Sequence, residues 1–409
     1  MREMKDSGVK WIGEIPVTWN VYRNKNAFVC SKDLVGGKSS ETQLLSLTTK
    51  GIKLKDINNA EGKLPESFDT YQYVKKDEMV MCLFDLDCSA VFSGLNPYDG
   101  MISPAYKVLT CTDRMEPKYA DYWFQYISHG RKFNHYAKNI RYTLSYEEFS
   151  ALPMLFPDRE EQIRISNYLD AKCSKIDEII EKQHAIIEKL KEYKLSYINE
   201  VTNVNDGIKC HLGFIGQMKN GLNFTDTSEG HKIKFLGVGD FKDNFFVDKE
   251  EMFSTIISEE NVAEDYMLHS GDIVFVRSNG SKELVGRAVM VNGIEYPVTY
   301  SGFCIRFRNI RPDIIDSKFL LYYFRSLDFR KQLEKYSQGS NIRNLNQDLL
   351  SSLQFTIPSK DYQKRRLDEM EIKCKEIDNA VIKFEGMNNK LQEYKKSLIY
   401  EVVTGKKEV

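Results

Sequence analysis

The stretch KCSKIDEIIEKQHAIIEKLKEYKLSYINEV, Lys172 to Val201, returns as KCKEIDNAVIKFEGMNNKLQEYKKSLIYEV from Lys373 to Val402, with 14 of 30 residues unchanged at a constant offset of 201. Each copy follows a proline, Pro157 or Pro358, and contains no other. Proline closes the preceding segment, and the proline-free run behind it predicts one long helix per copy. In the first copy Cys173, Ile176, Ile180, Ile187, Leu190, Tyr197 and Val201 keep a 3-4-3-4 register, interrupted by Gln183 and Lys194. In the second, Cys374, Ile377, Val381, Phe384, Leu391, Leu398 and Val402 do the same, interrupted by Asn388 and Lys395. A narrow apolar seam with charged flanks needs another helix as partner, and polar seam residues can fix the register. A continuous helix from Asp158 to Val201 would span about 65 Å at 1.5 Å per residue. Gly386 lies inside the second helix at a cost of about 1 kcal/mol relative to alanine.

The repeat reaches beyond the helices. PKYADYWFQYISHGRKFNHYAKNIRYTLSYEEFSALPMLFP from Pro117 and SKFLLYYFRSLDFRKQLEKYSQGSNIRNLNQDLLSSLQFTIP from Ser317 share one order. Both read as an aromatic helix, a basic stretch, an Asn-Ile-Arg loop, a short helix start and a strand ending in proline. Upstream, GDIVFVRSNG, LVGRAVMVNG and GFCIRFRNI alternate β-branched or aromatic residues with polar ones, as do DEMVMCLFDLDCSAVFSG and SPAYKVLTC. The expected class is therefore α+β. Two β-rich domains, over residues 1–157 and 206–358, alternate with helical regions over 158–205 and 359–409. In an approximate alignment Arg277, Ser278, Asn279 and Lys282 stand where the first domain has Leu83, Phe84, Asp85 and Cys88. The two domains share a plan and differ in what they present.

A chain of 409 residues exceeds one ordinary core, and the half-length repeat favours two. No apolar run approaches bilayer length, and the charged start MREMKDSGVK lacks the apolar stretch of a signal peptide, so a soluble cytoplasmic protein is expected. The cysteines show no CxxC spacing and read as free thiols. A formal net charge of −1 argues against coating nucleic acid by bulk positive charge, leaving local basic surfaces as the route to such binding.

Signals for bond chemistry are weak. LNPYDG at Leu95 lacks the second proline of an amino-methyltransferase loop, and no glycine-rich cofactor loop precedes it. No GxxxxGK[ST] phosphate loop occurs, Asp85 and Asp87 have no neighbouring acid or lysine to complete a metal nuclease, and the six histidines are scattered. No catalytic residue, metal ligand or cofactor of its own is expected.

Binding residues are clearer. Lys138, Asn139, Arg141 and Tyr142 recur as Ser340, Asn341, Arg343 and Asn344. Arginine forks fit guanine edges or phosphate and asparagine fits adenine, which makes Lys138, Asn139, Arg141, Tyr142, Asn341, Arg343 and Asn344 candidate DNA contacts. VRSNGSKELVGR adds Arg277, Ser278, Asn279, Lys282 and Arg287 around flexible glycines. A capped surface loop and a solubilising hairpin are the plainer readings of the same residues.

This order of β-rich domain, long helix, β-rich domain and long helix resembles the specificity (S) subunit of type I restriction-modification enzymes over essentially the whole chain. DSGVKWIGEIPVTWNVYRNK is similar to that family's entry into its first target-recognition domain. FPDREEQIRISNYLDAKCSKIDEII is similar to its junction into the central helix, and YKKSLIYEVVTGK to its end. The resemblance implies a non-catalytic subunit that reads an asymmetric bipartite target on double-stranded DNA, one half-site per domain, with the helices paired antiparallel as a spacer. It implies docking of two methyltransferase (M) subunits, for which the helix residues Gln162, Lys189, Glu192, Tyr193, Gln363, Lys390, Glu393 and Tyr394 are candidates. S-adenosylmethionine would reside on the M subunits, and ATP and Mg on restriction (R) subunits in the full complex. The second junction, IPSKDYQKRRLDEM, keeps Gln363 but replaces the acids of the first, so the two docking ends need not be equivalent. The alternative is a non-enzymatic coiled-coil protein scaffold indifferent to DNA sequence.

Overall fold

The computed structural model describes the chain except residues 1, 50, 57–64, 87–92, 138–141, 225–229, 259–260, 282 and 337–343. It divides into two compact units, one formed by Met1–Gln183 with Gly386–Val409 and the other by His184–Glu385. They are called unit 1 and unit 2. The fold is α+β in each.

The predicted helices are continuous, Arg159–Thr202 and Lys360–Val403, and Gly386 does not break the second. Each unit contains part of both. In unit 1, Lys395 Nζ donates to both carboxylate oxygens of Asp177 at 2.7 Å, while Lys407 lies over the Tyr168 ring. Partners therefore rise in number along one helix as they fall along the other, so the pair is antiparallel. Unit 2 repeats this: Lys194 Nζ donates to both oxygens of Asp378 at 2.7 Å, and the Tyr362 hydroxyl donates to the Val201 carbonyl. The lysines that interrupt each seam in the sequence are thus answered by an aspartate of the facing helix. Gln183 and Asn388 are buried in unit 1, and Gln183 Oε1 and both amide atoms of Asn388 have no hydrogen-bond partner.

In unit 1 a four-stranded antiparallel sheet runs in the order Phe28–Ser31, Lys107–Cys111, Met79–Met81, Ser93–Leu95. Its core joins Met79, Met81 and Leu109 to the aromatic helix Pro117–His129 through Tyr119, Trp123 and Phe124. Leu169 and Cys173 of one long helix and Leu398, Ile399 and Val402 of the other complete the cluster. Residues 386–409 close against the beginning of the chain. Gly405, at φ +72°, is tight against Pro16 and Trp19, so a side chain there would meet both the left-handed backbone and the Pro16 ring. Lys406 Nζ donates to the Ile12 and Glu14 carbonyls.

Unit 2 builds the same plan on a five-stranded sheet ordered Gly216–Asn220, Cys304–Asn309, Ile273–Val276, Ala288–Val291, Phe246–Val247. Its main core joins Ile273, Phe275, Ile305 and Phe307 to Phe319, Leu320 and Phe324, then to Ile198 and Val201 of one long helix and Met370 and Cys374 of the other. Among the described residues no helix is long and apolar enough to cross a membrane.

The junctions into the long helices match bond for bond. In unit 1 the Gln162 amide donates to the Arg114 and Pro157 carbonyls at 3.0 Å and accepts from the Glu116 amide at 2.8 Å. In unit 2, 201 residues on, Gln363 donates to the Ile314 and Pro358 carbonyls at 2.8 Å and accepts from the Asp316 amide at 2.9 Å. Both side chains are 1% exposed. The docking role expected for Gln162 and Gln363 is corrected accordingly: their polar atoms clamp the loop before the aromatic helix to the long helix and offer no surface to a partner.

Candidate nucleic-acid interface

Each unit sends two segments to one edge. In unit 2 the core strand Ile273–Val276 emerges at Arg277, whose carbonyl accepts from Leu345 N at 2.7 Å, and Ser278 bridges Asn344 in antiparallel fashion. Leu345 is fully buried and anchors the second segment, after which Asn346 caps the helix Gln347–Ser352 through Leu349 N. In unit 1 the Leu83 carbonyl accepts from Leu144 N at 2.8 Å, and Ser145 and Glu148 form a capping box on the helix Tyr146–Ala151. Leu83 and Arg277 thus occupy the same place, as do Leu144 and Leu345. Two loops far apart in sequence meet in both units, one leaving a core strand and one entering a capped helix.

The side chains differ. Lys138, Asn139, Arg141, Lys282, Asn341 and Arg343 lie outside the described residues. Of the remaining candidates, Tyr142 is half-buried against the unit 1 core at φ 48°, facing Asp85 at φ 50° through the bond from Leu86 N to the Tyr142 carbonyl. Left-handed backbone at a non-glycine residue costs free energy, and two such residues meet here. Asn344 is exposed beside Ser278. Asn279 accepts from Ser281 N at 2.8 Å, which shapes its own loop.

The two arginines of this stretch are engaged inside unit 2. Arg277 Nη1 donates to the Gly302 carbonyl at 3.2 Å, and its buried Nε has no partner. Arg287 donates to the Lys242 carbonyl and to Asp243. Nearby, burial and then the Arg287 charge push the Arg325 guanidinium down to about 10. Arg287 is therefore half-buried and tied to the Lys242–Asp243 turn, and Arg277 is a brace.

On the helices, Lys189, Glu192, Tyr193, Lys390, Glu393 and Tyr394 are all exposed. Tyr193 and Tyr394, equivalent in the repeat, keep 50% and 53% of their surface in solvent. An exposed tyrosine at the same place in both copies has no role in either core.

Residues 210–399 match the family model of the type I restriction modification DNA specificity domain. The StySPI type I restriction enzyme specificity subunit of Salmonella potsdam is 25% identical over 300 residues, 65% of this chain and 63% of that protein. The EcoKI specificity subunit of Escherichia coli K12 is 25% identical over 146 residues, 36% of this chain and 31% of that one. Among solved structures, a chain from a study of assembly and conformational transition of the type I R-M system superposes with a TM-score of 0.72 at 13% identity, covering 96% of this chain and 99% of that one. The HsdS subunit of Thermoanaerobacter tengcongensis gives 0.50 at 14% identity, covering 96% and 98%. At such identities the superpositions establish the fold. Residues 210–399 thus match a type I restriction modification DNA specificity domain, and over a longer span the chain is similar to type I restriction enzyme specificity subunits at 25% identity.

Proposed function

We propose that this chain is the non-catalytic DNA-reading subunit of a type I restriction-modification system, with unit 1 and unit 2 each reading one half of an asymmetric bipartite target. The observation that carries this reading is the paired loop edge, built on one hydrogen-bond frame in both units and filled with different side chains. Matching frames offer matching approaches to a duplex, and unlike side chains select unlike half-sites. The exposed repeat residues Lys189, Glu192, Tyr193, Lys390, Glu393 and Tyr394 are the docking surface for M subunits, which supply S-adenosylmethionine and the methyl transfer. The paired helices set the unread spacer, each of 44 residues spanning about 66 Å.

Methylation sequencing of cells co-expressing the chain with its M subunit tests the proposal. An adenine-methylated motif in two unlike halves is expected; methylation with no bipartite motif, or binding indifferent to DNA sequence, would favour the protein scaffold. Four residues inserted after Gln183, matched by four after Asn388, keep both lysine–aspartate pairs and should lengthen the spacer while each half-site stays the same. A changed half-site with the old spacing would remove the helices from that role.

A further inference from the structure

One exposed residue interrupts a buried run beside the unit 2 loop edge. Phe303 keeps 58% of its surface in solvent, although Tyr300 and Cys304 are fully buried. A lone exposed aromatic is ordinary on a protein surface. This one sits on a turn held from several sides: Cys304 N donates to the Ser301 carbonyl at 2.8 Å, Phe303 N to Ser301 Oγ at 3.2 Å and Gly302 N to the Leu222 carbonyl at 2.7 Å. Gly302 is buried, and a Cβ there would stand 2.2 Å from Asn223 Oδ1, so the exposed Asn223 side chain would have to swing aside. The turn also belongs to the loop edge: Phe303 O accepts from Arg277 N at 2.8 Å, and Gly302 O accepts from the Arg277 guanidinium. The ring is thus presented on a braced tip, next to the segment that carries Ser278 and its bridge to Asn344.

Unit 1 has the same turn without the ring. Tyr106 N donates to the Ser103 carbonyl at 3.1 Å and Ala105 N to Ser103 Oγ at 3.4 Å, which sets exposed Ala105 where unit 2 has Phe303. A shared turn with unlike tips is what a selective surface requires.

We propose that Phe303 is a specificity-determining residue of unit 2 that makes an apolar contact to a base of its half-site, either a thymine methyl group or an unstacked base face. This rests on the DNA-reading function proposed above. Thymine's methyl is the one apolar group in the major groove, and apolar side chains also wedge between base steps. A ring on a braced turn loses little freedom on binding.

The test uses the full chain with its M subunit, as parent and as Phe303→Ala, which gives unit 2 the tip of unit 1. Expected are unchanged thermal unfolding, lost preference at one position of one half-site, and about tenfold weaker specific binding, the size of a lost base contact. Replacing thymine by uracil in that half-site separates the contacts: weaker binding by the parent alone marks the methyl group, and no change marks the base face. An unaltered motif and affinity in the variant overturns the role of Phe303 while leaving the DNA-reading function intact. So does lost M-subunit co-purification with an unaltered motif, which makes the ring a protein contact. A parent chain that yields no motif overturns both proposals.

Discussion

The junction into each long helix and the loop edge of each unit lie on the same scaffold, yet they repeat in opposite ways. Gln162 and Gln363 keep identity, burial and each of three hydrogen bonds. At the loop edge the backbone bonds repeat, but Leu83 becomes Arg277 and Ala105 becomes Phe303. Backbone bonds specify where a tip stands and are blind to the side chain it bears. A duplicated fold can therefore hold its joints fixed and vary its tips without touching the core.

The sharpest way to break this comparison is at the joints. Gln162→Ala and Gln363→Ala each strand two carbonyls and an amide in a buried site, so each should cost about 3 kcal/mol, at roughly 1 kcal/mol per lost bond. Urea unfolding with hydrogen exchange at the junction reads the loss, and comparable values for the two variants are expected; a large disparity would end the equivalence of the joints. Gly302→Ala displaces the exposed Asn223 side chain from the turn and should cost at most about 1 kcal/mol, with loosened exchange at Phe303. Pro104→Ala, at the matching place in unit 1, should leave exchange at Ala105 nearly unchanged. Asn388 is a buried amide without partners where the other copy has Ile187, so Asn388→Leu should raise stability by about 1 kcal/mol in denaturant titration. The smallest effect belongs to the helix pairs. Asp177→Asn and Asp378→Asn remove half-exposed carboxylates and should each cost about 0.5 kcal/mol, less in high salt.

The periodic parts of this fold are legible in the sequence because periodicity reports burial directly. The 3-4 seam and the prolines before it place the helices within a residue or two of Arg159–Thr202 and Lys360–Val403. The loop alignment of Leu83 with Arg277 is also legible, since the flanking strands alternate in step. Side-chain direction is not. Gln162 and Gln363 read as surface residues because glutamine is polar, and an amide and a carbonyl that hold each of them come from a loop 46 to 49 positions away. Arg287 reads as a free cation because Asp243 is 44 positions off. Phe303 carries no signal at all: a phenylalanine entering an alternating strand reads as core, and only the turn geometry turns it outward.

The closure of Gly405 onto Pro16 and Trp19 bears on how the chain is made. Unit 2 is one uninterrupted stretch, His184–Glu385, whereas unit 1 needs residues 386–409 to complete its core. Domains of a growing chain ordinarily fold in the order they are synthesised. Here the order inverts: unit 1 emerges first but must keep Trp19, Trp123 and Leu169 incompletely covered until the last helical turns leave the ribosome, while unit 2 can finish in the meantime. A released chain truncated after Glu385 should therefore hold a protease-resistant unit 2 behind a protease-sensitive unit 1.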